Sequence, residues 1–165
     1  MSKTNSVRTP KYILQWVRKK FGRFYDPVPF NPNFGKGDKD ALTSEWKRVN
    51  YVNPPFSQTV QFLKKTVEQW KKGRTVIFLC KLDTLGRQAF VGDCEIVLFK
   101  KPVIFPGYDN VPRFSVCLLL YRAGKKSSIY SFFPTNWIQT AGESLNSTSF
   151  GDNGARSCLT RGNHT

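Results

Sequence analysis

Apolar positions first take helical spacing at Ile13, Leu14, Val17 and Phe21, which places them on one face of a helix. Thr9-Pro10 ahead of them reads as an N-cap followed by proline at the first helical position, and Gly22 is a stop. Arg23-Phe24-Tyr25 reads as a short strand running into Asp26-Pro27-Val28-Pro29-Phe30, where prolines at 27, 29 and 32 force a loop. Asn31 to Asp40 is a polar, glycine-containing loop. Val49–Val52 predicts a strand that Asn53-Pro54-Pro55-Phe56 ends abruptly. Ser57 stands where it would cap a second helix. The spacing of Val60, Leu63, Val67 and Trp70 predicts that helix's buried stripe, and Gly73 closes it. Thr75 to Cys80 is a continuous apolar run, the pattern of a central strand covered on both faces. A short helix is expected from about Leu85 to Val91, a strand over Cys94 to Phe99, and a buried strand within Phe114 to Tyr121.

Helix and strand patterns thus alternate, which predicts an α/β fold: an open sheet with crossover helices. After Ala123 the chain turns polar. Ser, Thr, Asn and Gly dominate, with few apolar anchors beyond Ile129, Tyr130, Phe132, Phe133, Trp137 and Ile138. Residues 1–122 are therefore read as one domain and 123–165 as a polar C-terminal tail, disordered alone or docked on a partner.

Charge narrows the function. Of 165 residues, 26 are Lys or Arg and 11 are Asp or Glu, leaving a net charge of +15. Such an excess on a small domain points to a polyanionic partner, most simply DNA or another nucleic acid. Lys64, Lys65, Lys71 and Lys72 on the second helix are the candidate phosphate contacts, expected to point outward from the apolar stripe. No apolar stretch is long enough to span a bilayer, so no membrane partner is expected. The start Met1-Ser2-Lys3-Thr4-Asn5-Ser6 lacks an apolar signal core, which argues for an intracellular protein. Cys80, Cys94, Cys117 and Cys158 are scattered without Cys-x-x-Cys spacing, and His164 is the single histidine. A Cys/His metal site and a His-dependent nucleophile are thereby disfavoured. Cys80 and Cys117 lie in apolar runs and read as buried thiols in a reducing compartment.

Asn53-Pro54-Pro55-Phe56 carries the chemistry. It leaves the carboxyl end of a strand, where open α/β folds build their sites. The Asn53 amide oxygen and the Pro54 carbonyl would present two acceptors, and Phe56 a flat face for stacking. That is what an exocyclic amine on an unstacked base requires: two acceptors on its N–H groups direct its lone pair, and a ring holds the base.

With these residues in view, the chain resembles the phage-type adenine-specific DNA methyltransferases, including relatives carried by large DNA viruses. Thr9-Pro10 resembles their cofactor-side Thr-Pro. Asp26-Pro27-Val28-Pro29 resembles their Asp-Pro-Cys-Pro, with Val28 in place of Cys. Asp40-Ala41-Leu42-Thr43 with Trp46 resembles Asp-Gly-Leu-(Thr)-x-x-Trp, and Asn53-Pro54-Pro55-Phe56 matches Asn-Pro-Pro-Tyr/Phe. Gly73 before Val76–Leu79, and Arg113-Phe114-Ser115 before the last strand, also fit. The resemblance implies a compact Rossmann-like methyltransferase sheet with flanking helices. S-adenosylmethionine would be the cofactor, bound near Thr9, Pro10, Asp26 and Pro27. Asn53, Pro54, Pro55 and Phe56 would form the catalytic segment that holds a flipped-out adenine. The chain departs from the family at Cys80-Lys81-Leu82-Asp83-Thr84, where Pro-Ala-Arg-Thr is common, and at Lys100-Lys101-Pro102, in place of Gly-Arg-Leu. These departures keep a second reading open: a non-catalytic descendant, a basic minor capsid or DNA-packaging protein of a virus. Its tail would then dock on capsid or packaging proteins in the virion.

Overall fold

The computed structural model describes residues 7–30, 40–87, 94–108, 110, 112–125 and 130–132. The elements are α1 (Lys11–Phe21), β1 (Val49–Val52), a 3₁₀ turn (Phe56–Gln58), α2 (Thr59–Lys71), β2 (Thr75–Lys81), α3 (Thr84–Arg87), β3 (Glu95–Leu98), β4 (Val116–Tyr121) and β5 (Tyr130–Phe132). The α/β alternation read from the sequence is observed from α1 to β4; the short strand expected at Arg23-Phe24-Tyr25 is a single bridge at Tyr25, and β5 lies in the segment read as a tail. Residues 88–91, the rest of the expected third helix, lie outside the described residues.

The five strands form one sheet in the order β1-β2-β4-β3-β5. β1 and β2 are parallel, joined through α2, and β3 pairs in parallel with β5. β4 lies between β2 and β3 and is antiparallel to both. Parallel neighbours need a crossover, usually a helix, whereas an antiparallel neighbour can be reached by a simple return. None of the described residues between β3 and β4 is helical, so the return is antiparallel. β5 lies beyond residue 122, so the sheet runs past the boundary at which the tail was placed.

Strict alternation divides the core into two layers. Ile77 and Leu79 of β2, Leu118 and Leu120 of β4 and Tyr51 of β1 share one face with Ile13, Trp16 and Val17 of α1. Val76, Phe78, Cys80, Cys117, Leu119, Tyr121 and Val52 share the other with Phe62 and Leu63 of α2. Successive side chains of a strand point to opposite faces, so a strand buried on both sides must be apolar throughout. β4 is buried at all six positions. Cys80, Cys94 and Cys117 are buried and outside any disulfide among the described residues, as the apolar runs suggested for the first and last.

Three local expectations are corrected. The residue before α1 is Pro10, at φ −57° and ψ 140°, and no side chain caps the helix. Its carbonyl accepts from the Ile13 and Leu14 N–H groups, so Thr9 lies one position further out with its hydroxyl available elsewhere. Ser57 falls inside the 3₁₀ turn, and α2 begins two residues later after Gln58. The Gln58 N–H closes that turn on the Pro55 carbonyl at 2.8 Å. The buried face of α2 is rotated from the expected stripe. Val60 is 41% exposed, whereas Thr59, Phe62, Leu63, Lys65, Thr66 and Gln69 are buried. Gln69 holds a core position because its Oε1 accepts from the buried Trp46 N–H at 3.2 Å and from the Arg74 guanidinium. Hydrogen bonding makes a buried amide tolerable, which the apolar pattern alone does not register.

Candidate functional site

The site begins with two strand ends. Tyr25 bridges Asn50 of β1 in parallel: its N–H donates to the Val49 carbonyl, and its carbonyl accepts from Tyr51 N–H, each at 2.9 Å. Parallel neighbours end at the same edge of a sheet. Asp26-Pro27, which follows Tyr25, and Asn53-Pro54, which follows Val52, therefore emerge side by side at the carboxyl edge.

Asn53 points to the α1 side, the face it shares with Tyr51 two residues earlier. Its Nδ2 donates to the Val7 carbonyl at 2.7 Å and to Thr9 Oγ1 at 3.1 Å. A carbonyl can only accept, so the Val7 contact fixes which end of the amide faces it. Thr9 Oγ1 is itself 3.0 Å from the Tyr51 hydroxyl, and both groups are buried. The remaining atom, Asn53 Oδ1, is buried without a hydrogen-bond partner among the described residues. Only one other buried side-chain atom shares that condition there, Thr66 Oγ1 within α2. An unmet buried acceptor costs about 1–3 kcal/mol. At this strand end, with the other half of the amide bonded twice, Oδ1 is an acceptor with no donor among the described residues.

Asp26 is mostly buried. Its Oδ1 accepts from the Val28 N–H at 2.9 Å, yet burial pushes its pKa up to about 6 against that bond. Its charge reaches Tyr51: burial raises the Tyr51 phenol far above its usual range, the bond with Thr9 opposes this, and Asp26 adds to the rise. Asp26, Tyr51, Thr9 and Asn53 therefore form one connected group. Pro27 and Pro54 are buried, and Pro55 is half-buried at φ −53° and ψ 132°, extending the chain away from β1.

Thr9 and Pro10, which the resemblance puts beside the cofactor, are both buried. The Thr9 hydroxyl is committed to Tyr51 and Asn53, so it positions Asn53. Phe56 is half-buried and meets Phe114 edge-on, with ring centroids 5.2 Å apart at 80°. The Lys81 ammonium lies 4.7 Å from the Phe56 centroid and 4.6 Å from that of Phe114. One face of the expected stacking ring is thus covered by a cation. Asp40-Ala41-Leu42-Thr43 serves packing: Asp40 Oδ1 accepts from Leu42 N–H, and the buried Trp46 donates its indole N–H to the Ala41 carbonyl at 2.8 Å.

The α2 lysines divide, correcting the expectation that all point outward. Lys64 and Lys71 are exposed. Lys65 is buried, with its ammonium 3.2 Å from Glu68. Lys72 is exposed but bonds Glu45 at 2.7 Å and Glu68 at 2.9 Å. The reason is the rotation of the helix, which carries position 65 into the interface.

Val7, Tyr51, Lys81 and Phe114 belong to the site and were missed in the sequence. For Tyr51 the signal was present: period two places it on the same face as Asn53. Lys81 and Phe114 join only because β4 is antiparallel to β2, which brings its start to the carboxyl edge.

Comparison with known proteins gives the following. A solved structure of a predicted O-methyltransferase from Agrobacterium tumefaciens aligns over 55% of this chain and 42% of its own length. Its sequence identity is 16% and its TM-score 0.34. The chain thus spans less than half of that protein. No curated protein sequence matches. A family model described as DNA N-6-adenine-methyltransferase (Dam) matches residues 2–90, more than half of the 165. That span contains the whole group from Val7 through Asp26 to Asn53-Pro54-Pro55-Phe56, and the chain belongs to the DNA N-6-adenine-methyltransferase (Dam) family.

Proposed function

We propose that the protein transfers a methyl group from S-adenosylmethionine to the N6 amine of an adenine drawn out of the DNA stack. The observation that supports this is the Asn53 amide: Nδ2 bonded to Val7 and Thr9, Oδ1 buried and unmet among the described residues. An amine N–H satisfies that acceptor, and the bond turns the nitrogen lone pair away from Asn53. The Pro54 carbonyl, next along the chain, would take the second N–H. Phe56 offers the base a ring face once Lys81 yields it, and the ammonium so released suits the phosphate of the extruded nucleotide.

The cofactor fits the residues present at Asp26. A buried carboxyl with a single hydrogen-bond donor on it retains acceptor capacity, which ribose hydroxyls or an amino-acid ammonium would fill. Asp26 and Pro27 would hold it, while Thr9 and Pro10 would act through the position of Asn53. When bound, S-adenosylmethionine supplies a methyl carbon already made electrophilic by its sulfonium. The chain's own task is alignment, which reaches about 10⁵–10⁸ M in effective concentration for well-oriented partners. Asn53 Oδ1 would accept a hydrogen bond and not the proton itself; the methylated nitrogen would lose its proton to water as the product leaves.

The test is incorporation of labelled methyl from S-adenosylmethionine into DNA. Wild type incorporates label, and Asn53→Ala loses about 10²–10³ in rate, the usual effect of removing one preorganised polar group. Absence of transfer by folded wild type overturns the proposal and favours the non-catalytic reading.

A further inference from the structure

At the edge opposite Asn53, a groove of about 760 Å³ opens between the end of α1 and the starts of β1 and β2. Its lining contains Lys20, Arg23, Lys47 and Arg48, with Phe24 and Tyr25, and no acidic residue. Lys20 is partly engaged, with its ammonium 3.8 Å from Glu95. Arg23, Lys47 and Arg48 are exposed and form no ion pair among the described residues. Tyr25 is 41% exposed between them.

The groove is built on fixed backbone. Asn50 is fully buried; its Oδ1 accepts from the Lys47 N–H at 2.9 Å and its Nδ2 donates to the Lys47 carbonyl at 2.7 Å. The Arg48 carbonyl accepts from the Thr75 N–H, and Tyr25 is tied to Val49 and Tyr51. A buried side chain thus clamps the turn that presents Lys47 and Arg48, lowering the entropy lost when they bind an anion. By contrast, two of the four α2 lysines are occupied by Glu45 and Glu68. Arg23, Lys47 and Arg48 thus add a second group of unneutralised charge, at the amino edge, to the exposed Lys64 and Lys71 of α2.

We propose that this groove seats the sugar-phosphate backbone of DNA, as a second contact remote from the base-holding edge. Three cations without an acidic partner among the described residues, and an exposed tyrosine, suit phosphates and sugars and disfavour an apolar ligand. Five residues of extended chain separate Arg48 from Asn53, about 17 Å at 3.3 Å each. That equals about five nucleotide steps of 3.4 Å along one strand. β1 and the Tyr25 segment bridged to it form this margin of the sheet, so a duplex lying along the margin reaches both ends. The inference shares DNA with the proposed function but is read by binding alone, so loss of methyl transfer and loss of DNA binding at the groove are distinguishable.

The experiment is fluorescence anisotropy of a labelled duplex titrated with full-length protein over a range of salt. Arg23→Gln, Lys47→Gln and Arg48→Gln combined should flatten the slope of log K against log salt by about 2.7, or 0.9 for each phosphate no longer neutralised. Arg23→Lys with Arg48→Lys should retain the wild-type slope. Acetylation footprinting of wild type gives an answer independent of any variant's folding: saturating duplex should shield Lys47. An unchanged slope in the triple Gln variant, or Lys47 acetylated equally with and without duplex, overturns the proposal. So does loss of polyglutamate binding with duplex binding intact, which would make the groove a seat for acidic protein.

Discussion

Replacing Asp26 with Asn should stabilise the protein at neutral pH while weakening its hold on the cofactor. Burial raises the Asp26 pKa from an ordinary 3.8 to about 6. The folded state therefore keeps this proton to about pH 6, whereas the unfolded chain releases it near pH 4. Below pH 4 both states are protonated and the carboxyl carries no penalty. As pH rises through 4 to 6 the unfolded state gains by ionising, and stability falls. The gap of about 2.2 pH units corresponds to about 3 kcal/mol above pH 6, at 1.36 kcal/mol per unit. Water reaching the partly exposed carboxyl lowers this toward about 1–2 kcal/mol. An asparagine at this position would carry no charge and keep an oxygen for the Val28 N–H, so it removes the penalty without removing the turn. Urea unfolding of both proteins from pH 4 to 8 reads the difference. The curves should coincide near pH 4 and separate by about 1–3 kcal/mol at pH 7.5, with the variant higher. Equal stability at pH 7.5, or a separation that persists at pH 4, refutes the assignment of a carboxylate whose burial outweighs its one hydrogen bond. Calorimetry with S-adenosylmethionine should show weaker binding by the variant. In wild type near pH 6, binding should release protons, because donors on the carboxylate lower its pKa. Higher stability together with weaker binding in the variant would be the usual exchange of stability for function.

Thr9→Val should cost about 1–2 kcal/mol, because it unpairs the Tyr51 hydroxyl and one Asn53 bond; thermal melts measure the loss, and methyl transfer should fall with it. Leu118→Ala, in the fully buried β4, should cost about 2–5 kcal/mol in urea unfolding, the range for deleting a core leucine side chain. Lys64→Gln with Lys71→Gln should flatten the salt dependence of DNA binding, whereas Lys65→Gln with Lys72→Gln should leave it unchanged, because Glu68 and Glu45 already hold those two ammonium groups. Gly73→Ala should destabilise by about 1 kcal/mol in the same unfolding assay; its φ of +82° strains any side chain although the space around it is open.

Elements whose burial is continuous were legible in the sequence. Thr75 to Cys80 and Phe114 to Tyr121 announced β2 and β4 because a strand covered on both faces admits no polar position. Asn53-Pro54-Pro55-Phe56 was legible because two prolines must end a strand, and a strand end is where such folds place chemistry. The face of α2 was misread because Gln69 and Lys65 occupy buried positions through partners distant in sequence, or one helical turn away, that no periodicity encodes. The role of Thr9 was misread because its hydroxyl bonds Asn53, 44 residues away, and does not cap the helix beside it. The paired emergence of Asp26 and Asn53 depends on the Tyr25 bridge to β1, and the approach of Lys81 and Phe114 depends on the antiparallel insertion of β4. Local propensity and apolar patterning decide which segments form, and which side they bury where no polar residue is carried into the core. Which polar atoms meet, and which acceptor is left waiting, is decided by strand order and register, since these bring together residues that the chain itself keeps far apart.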